Sequence, residues 1–425
     1  MKHRILQGAA IAAIATLAVT ACSSANAVPD AKDVKEAKGS VTMWMYPVIK
    51  DETASKEFWT ETQKDFEKAY PDVDLKIELQ PFAKRDEQIS AALAANSGPD
   101  LALVTPDMAA TYLNVGGVLP IDDALPEKDR KAFFPSSLDA ATFDGELYGL
   151  PIFQNVAANV VNTKLFKEAG LEVPKTWDEI DAAAPVLAKK GIAVMDYAGS
   201  AQQTLNLTFY PFLWQAGGSV FTKDGKDIAF DSKEGVNALT FLVDLMKEGG
   251  LPPDAATAGV AIDGSQWAAG KVGIRTNAGP SELGPLRAAV GGEGVEVGAP
   301  FTGKEQATFG NPGLIALTSI NKKENRAAAY AVLNYLSTPD FQAKLSKASG
   351  NFSPRTDVAA PAEGPDYDTF KEALSVANPG EASPVARQVM AALAPYIQSA
   401  LRGDLSPKEA LDTAATAGRA ILDRN

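Results

Sequence analysis

Between Val41 and Val104, short apolar strands alternate with longer helical stretches, and few folds accept that order. Val41, Met43 and Met45 alternate with Thr42, Trp44 and Tyr46, which is the period of a strand, and Pro47 ends it. Phe58, Trp59, Thr62, Phe66, Ala69 and Tyr70 then recur at helical spacing. After Pro71-Asp72, Val73, Leu75, Ile77 and Leu79 alternate with Asp74, Lys76 and Glu78. A second helix over Arg85–Asn96 leads through Gly98-Pro99-Asp100 into the buried run Leu101–Val104. Such alternation predicts a mostly parallel sheet covered by helices, whose ligands lie beyond the C-terminal strand ends. Thr105, Pro106 and Asp107 occupy one such end.

A second unit is announced by Phe143–Thr163, FDGELYGLPIFQNVAANVVNT. Two apolar runs, Leu147–Phe153 and Val156–Val161, flank the amide pair Gln154-Asn155. Polar side chains where two buried segments meet mark this stretch as a crossover between lobes and as a cleft floor. A length of 425 residues leaves apolar material for a core in each lobe.

Residues 1–21 read as a secretory signal, with Lys2 and Arg4 before an apolar region and Val19-Thr20-Ala21-Cys22 as a lipobox. Cys22, the only cysteine, is the expected lipid acceptor, and residues 22–39 the flexible linker between membrane and domain. His3, the only histidine, leaves with the signal. A mature domain without histidine or thiol excludes Ser-His-Asp and Cys-His catalysis, and no metal or other cofactor is expected. A net charge of −13 argues against nucleic acid as a partner.

The run DGELYGLPIFQNVAANVVNTKLFKEAGLEVPKTWDEI resembles the extracellular solute-binding proteins of bacterial ABC sugar importers, with Asn162, Thr163, Leu165, Phe166, Pro174, Thr176, Trp177, Asp178 and Glu179 matching their pattern. Gly116-Gly117, Leu205–Gly218, Gln266–Ile274 and Ser349–Arg355 continue the likeness. It implies a periplasmic-binding-protein-like α/β fold of two lobes, each with a mostly parallel sheet flanked by helices, joined by a multi-strand hinge. The lobes are expected at 40–153 plus 300–350 and at 154–299 plus 351–425, with a second crossover at Val297–Pro300 and a third at Ser349–Arg355.

The resemblance also implies a ligand site. Trp44 and Tyr46 follow the first strand into the cleft, where they would stack on a sugar ring. Asp107 aligns with an acidic residue that bonds hydroxyls, the alternative being an N-cap for a helix starting at Met108. Trp214, on a stripe with Asn206 and Tyr210, is either core or site. Gln154, Asn155, Arg275, Asn277 and Asn311 complete the set, although Arg275 and Asn277 also fit a surface loop, and Ser281 stands where relatives carry Trp. The expected function is that of a monomeric, extracytoplasmic receptor anchored through Cys22, which binds a mono- or oligosaccharide and delivers it to a membrane permease. Alternatives are a secreted carbohydrate-active enzyme using two carboxylates, or the same fold serving a non-sugar solute.

Overall fold

In the computed structural model, which describes residues 34, 36–81 and 84–424, the early alternation folds in register as β1 (Gly39–Met45), α1 (Glu52–Ala69), β2 (Val73–Leu79), α2 (Arg85–Ala94), β3 (Leu101–Val104) and α3 (Pro106–Asn114). β1 lies between β2 and β3 and runs parallel to both. Its period of two sends Val41, Met43 and Met45 into a core with Trp59 and Phe66 of α1, while Thr42 and Trp44 stay half-buried on the other face.

The chain is an α/β protein with two principal sheets. The first, six-stranded, has the order β2, β1, β3, Pro312–Thr318, β4 (Val118–Leu119), and Leu150–Gln154 also pairs with Pro312–Thr318. The second, four-stranded, has the order Val295–Gly298, Ala158–Asn162, Val272–Ala278, Ala193–Met195. Within these two sheets, parallel pairing is confined to β2-β1-β3 and to Val272–Ala278 with Ala193–Met195. The other pairings are antiparallel, which corrects the expectation of mostly parallel sheets. The reason is topological: strands that come out of the crossovers enter each sheet from the end at which its parallel strands finish.

Each sheet has its own core. Met43, Phe66, Leu103, Leu317 and Tyr330 belong to one cluster; Leu187, Phe212, Phe230, Leu242, Leu393 and Leu411 belong to another. A third cluster, with Val160, Trp267, Leu286 and Phe370, covers the opposite face of the second sheet.

Backbone hydrogen bonds tie the crossovers together. Gln154 N donates to Phe352 O at 2.7 Å, Asn155 N to Asn311 O at 2.9 Å, and Ala157 N to Phe309 O at 2.9 Å. The return from the second lobe falls at Phe309–Pro312 and not at Val297–Pro300, because Val295–Gly298 is an outer strand of the second sheet and Phe301, Ala307 and Phe309 lie in its core. At the third passage Phe134 N donates to Pro354 O at 2.9 Å and Thr356 N to Ala132 O at 2.7 Å, while Phe352 packs in the cluster on the second sheet.

Gly310 sits inside this knot, where a Cβ would lie 2.8 Å from Asn155 O and 2.9 Å from Ala377 Cβ. Those neighbours are backbone and a packed methyl, which cannot rotate away. Gly310→Ala is therefore expected to cost about 1–3 kcal/mol in urea unfolding; an unchanged midpoint would show that the crossovers are loosely joined.

Candidate functional site

β1 and β3 finish side by side, and Tyr46 and Thr105 follow them. Tyr46 is fully buried, and its hydroxyl has no hydrogen-bond partner among the described residues. The Arg85 guanidinium carbon stands 5.6 Å from the centre of its ring. Burial pushes the Tyr46 phenol up to about 12, with Arg85 opposing. Burial also lowers the pKa of Arg85, and Asp86 beside it opposes that shift.

Helix α3 starts at Pro106 with Thr105 in the N-cap position, so Asp107 stands in its first turn and caps no helix at Met108. Its carboxylate accepts from the Thr105 hydroxyl. Its other oxygen lies 2.8 Å from Arg387 Nε.

Leu205–Gly218 is not one helix. A 3-10 turn over Leu205–Leu207 and a helix over Phe209–Gln215 are separated by Thr208, whose φ of −127° and ψ of −83° are not helical. Asn206, Tyr210 and Trp214 are 8%, 1% and 5% exposed, so the stripe is buried as its core reading requires. Asn206 Oδ1, the Tyr210 hydroxyl and Trp214 Nε1 nevertheless lack hydrogen-bond partners among the described residues. Leaving such groups unmet costs about 1–3 kcal/mol each, and Trp59, Tyr112 and Tyr197 elsewhere in the cores carry unmet atoms as well.

Residues 380–387 touch both segments, α3 and Leu205–Gly218. Gly380 lies over Asn206, with space for a Cβ only 3.1 Å from its Oδ1. The Glu381 carboxyl faces the Trp214 indole and the backbone amide of Val220, and burial lifts it to about 7. Burial also raises the Tyr210 phenol, and the charge of Glu381 adds to the shift. Pro384 O accepts from the Thr111 hydroxyl of α3 at 3.2 Å. Arg387 then donates to the Asp86 carboxylate and reaches Thr105 Oγ1 at 3.5 Å. Tyr46, Arg85, Asp86 and Arg387 are thus successive neighbours, and Glu381 and Trp214 form a separate pair.

Of the nine ligand residues named from sequence, Tyr46 belongs to the first of these groups, Asp107 adjoins it through Arg387, and Trp214 belongs to the second. Gln154, Asn155 and Asn311 fall in the hinge, where Gln154 Oε1 accepts from Ser137 Oγ at 2.9 Å and its Nε2 donates to Asn155 O at 3.2 Å. Trp44 is turned along the sheet, its indole donating to Glu78 at 2.8 Å. Arg275 is held inside the second lobe by Asp196 and by Val260 O, both at 2.7 Å, against a cavity of about 190 Å³. Asn277 takes a φ of +50° at a bulge in its strand. Cys22 lies outside the described residues. Glu381, Arg387, Arg85 and Asp86 were absent from the sequence set. Arg387 opens an ordinary amphipathic helix, and nothing in the local pattern says that its guanidinium crosses to residues 301 positions away.

The family described as bacterial extracellular solute-binding protein matches residues 50–343. The chain is 27% identical to an arabinooligosaccharide-binding protein of Bacillus subtilis strain 168 over 220 residues, 50% of this chain and 48% of that one. Its fold superposes on a solute-binding protein of an ABC transporter from Thermotoga lettingae TMO, bound with α-D-tagatose, at a TM-score of 0.76 and 26% identity, covering 91% of this chain and 100% of that one. The cyclic α-maltosyl-1,6-maltose binding protein of Arthrobacter globiformis gives 0.78 and 24%, covering 92% and 100%. These likenesses match the two-lobed α/β architecture. Among the described residues no helix is long and apolar enough to cross a membrane.

The raised Glu381 carboxyl sets a pH dependence. Its folded pKa of about 7 exceeds the ordinary 4.5, so the folded state holds the extra proton between those values and stability falls as pH rises through that window. Relative to Glu381→Gln, the wild type is expected to lose up to about 3 kcal/mol between pH 4.5 and 7.5. Parallel stability-against-pH curves for the two proteins would contradict the assignment.

Proposed function

This chain belongs to the bacterial extracellular solute-binding protein family, and we propose that it is the extracytoplasmic receptor of an ABC importer for a mono- or oligosaccharide. The observation that carries the reading is the buried, unpartnered stripe of Asn206, Tyr210 and Trp214, an aromatic surface with an acceptor, a hydroxyl and an N–H donor. A pyranose offers the complement: an apolar C–H face for an aromatic ring and a rim of hydroxyls that both donate and accept. The relatives named for arabinooligosaccharide and for maltotriose support the choice of saccharide.

In this reading Tyr46 and Asp107 contribute from the first lobe and Trp214, Tyr210, Asn206 and Glu381 from the second, so a bound sugar holds the lobes together. Glu381, its carboxyl lifted to about 7, donates a hydrogen bond when protonated and accepts when ionised. Gln154, Asn155 and Asn311 serve as the pivot. Lipidation at Cys22 would keep the receptor beside its permease, which reads the closed form.

A thermal-shift screen of mono-, di- and oligosaccharides, maltotriose and arabinooligosaccharides among them, tests the proposal. A ligand at about 100 times its Kd adds about 2.7 kcal/mol to stability. If amino acids, peptides or oxyanions move the melting point and no carbohydrate does, the saccharide is wrong; a saccharide that is cleaved during incubation would point to an enzyme.

Tyr210→Phe separates ligand contact from structure. Removing a buried hydroxyl that has no partner is expected to leave the unbound protein as stable or more so, while affinity for the sugar falls roughly tenfold. A loss of stability with affinity intact would return Tyr210 to the core.

A further inference from the structure

We infer that Arg387 acts as an internal competitor for the sugar site: its guanidinium reaches from the second lobe onto Asp107 and Asp86 of the first, and a ligand must win Asp107 back from it. The inference rests on the saccharide-receptor reading for the ligand, but not for the contact itself.

Arg387 is mounted firmly. It lies in the first turn of the helix Ala386–Leu401, which Val389, Leu393 and Ile397 anchor in the core of the second lobe. Its Nε approaches Asp107 and its Nη1 donates to Asp86. Among the described residues, the ion pairs that join the two lobes all belong to Arg387. Both oxygens of Asp107 are engaged, one by the Thr105 hydroxyl and one by the guanidinium. The Nε of Arg387 lies beside that oxygen as an ion pair without a hydrogen bond, so a sugar hydroxyl that bonds Asp107 there has to displace a close cation.

Exposure makes the competitor separable from the ligand's own contacts. The side chains of Arg387 and Asp86 are 37% and 38% exposed, whereas that of Asp107 is 12% exposed. Half-exposed ion pairs weaken as salt screens them. A neutral sugar gains or loses little from screening, so salt dependence of its binding reports on the pair it displaces. Salt is thus expected to tighten binding, opposite to its usual effect where charges drive association.

Two measurements on wild type, Arg387→Gln and Asp86→Asn test this, between about 0.01 and 1 M salt, over which the Debye length falls from about 30 Å to about 3 Å. In small-angle scattering without sugar, the wild type should expand with salt towards the radius that Arg387→Gln shows throughout, and Asp86→Asn should fall between them. In calorimetry with maltotriose, or whichever saccharide of the screen binds, wild-type affinity should rise roughly three- to tenfold with salt, and that of Arg387→Gln should stay high and flat. Equal radii for wild type and Arg387→Gln at every salt would overturn the inference. So would weaker, salt-independent binding by Arg387→Gln, which would make Arg387 a direct ligand contact. If no saccharide binds, the scattering result still decides the lobe contact, and the receptor reading is what fails.

Discussion

The backbone hydrogen bonds among the crossovers are what the rest of this molecule depends on. Gln154, Asn155 and Ala157 donate to Phe352, Asn311 and Phe309, so the passages between lobes are fixed to one another at a line while each lobe keeps its own core. A joint made of several strands resists twisting and shear but bends about its own axis, which is the mechanical requirement for two lobes that close on a ligand. The same joint explains the mixed sheets. Pro312–Thr318 leaves it to enter the first sheet against β3, and Ala158–Asn162 leaves it to enter the second sheet against Val272–Ala278.

Strand ends near that line carry the chemistry, and there the usual rules of burial are relaxed. Tyr46, Asn206, Tyr210 and Trp214 are at least nine-tenths buried, yet each has a polar atom that no described residue satisfies. Glu381 is held beside Trp214 with its carboxyl lifted towards neutrality by burial. Each arrangement costs folding free energy, and such costs persist where a ligand offsets them. The deep cores hold unmet polar atoms too, at Trp59, Tyr112 and Tyr197.

Much of the scaffold was legible. Strand period at Val41–Met45 and Val73–Leu79, the buried run Leu101–Val104 and the capping box at Thr176 and Glu179 all appear where local pattern put them. These features depend on neighbours within a few residues, which is the range over which period and capping act. Legibility failed where a local motif had more than one use. Val297–Pro300 reads equally as a crossover or as the end of an outer strand, and only its pairing with Ala158–Asn162 decides. Leu205–Gly218 carries a helical stripe, yet Thr208 breaks it. Arg275 follows a strand towards the cleft edge, but Asp196, distant in sequence, claims its guanidinium.

By itself the sequence determined the α/β class and the order of the early elements. Period, capping and composition are sums over near neighbours, and these survive in a linear string. Tertiary structure alone decided which buried polar groups go unmet, which carboxyl is raised, and that Arg387 spans the lobes to Asp86 and Asp107. Desolvation and charge pairing depend on distances between groups far apart along the chain, and only the folded arrangement sets those distances.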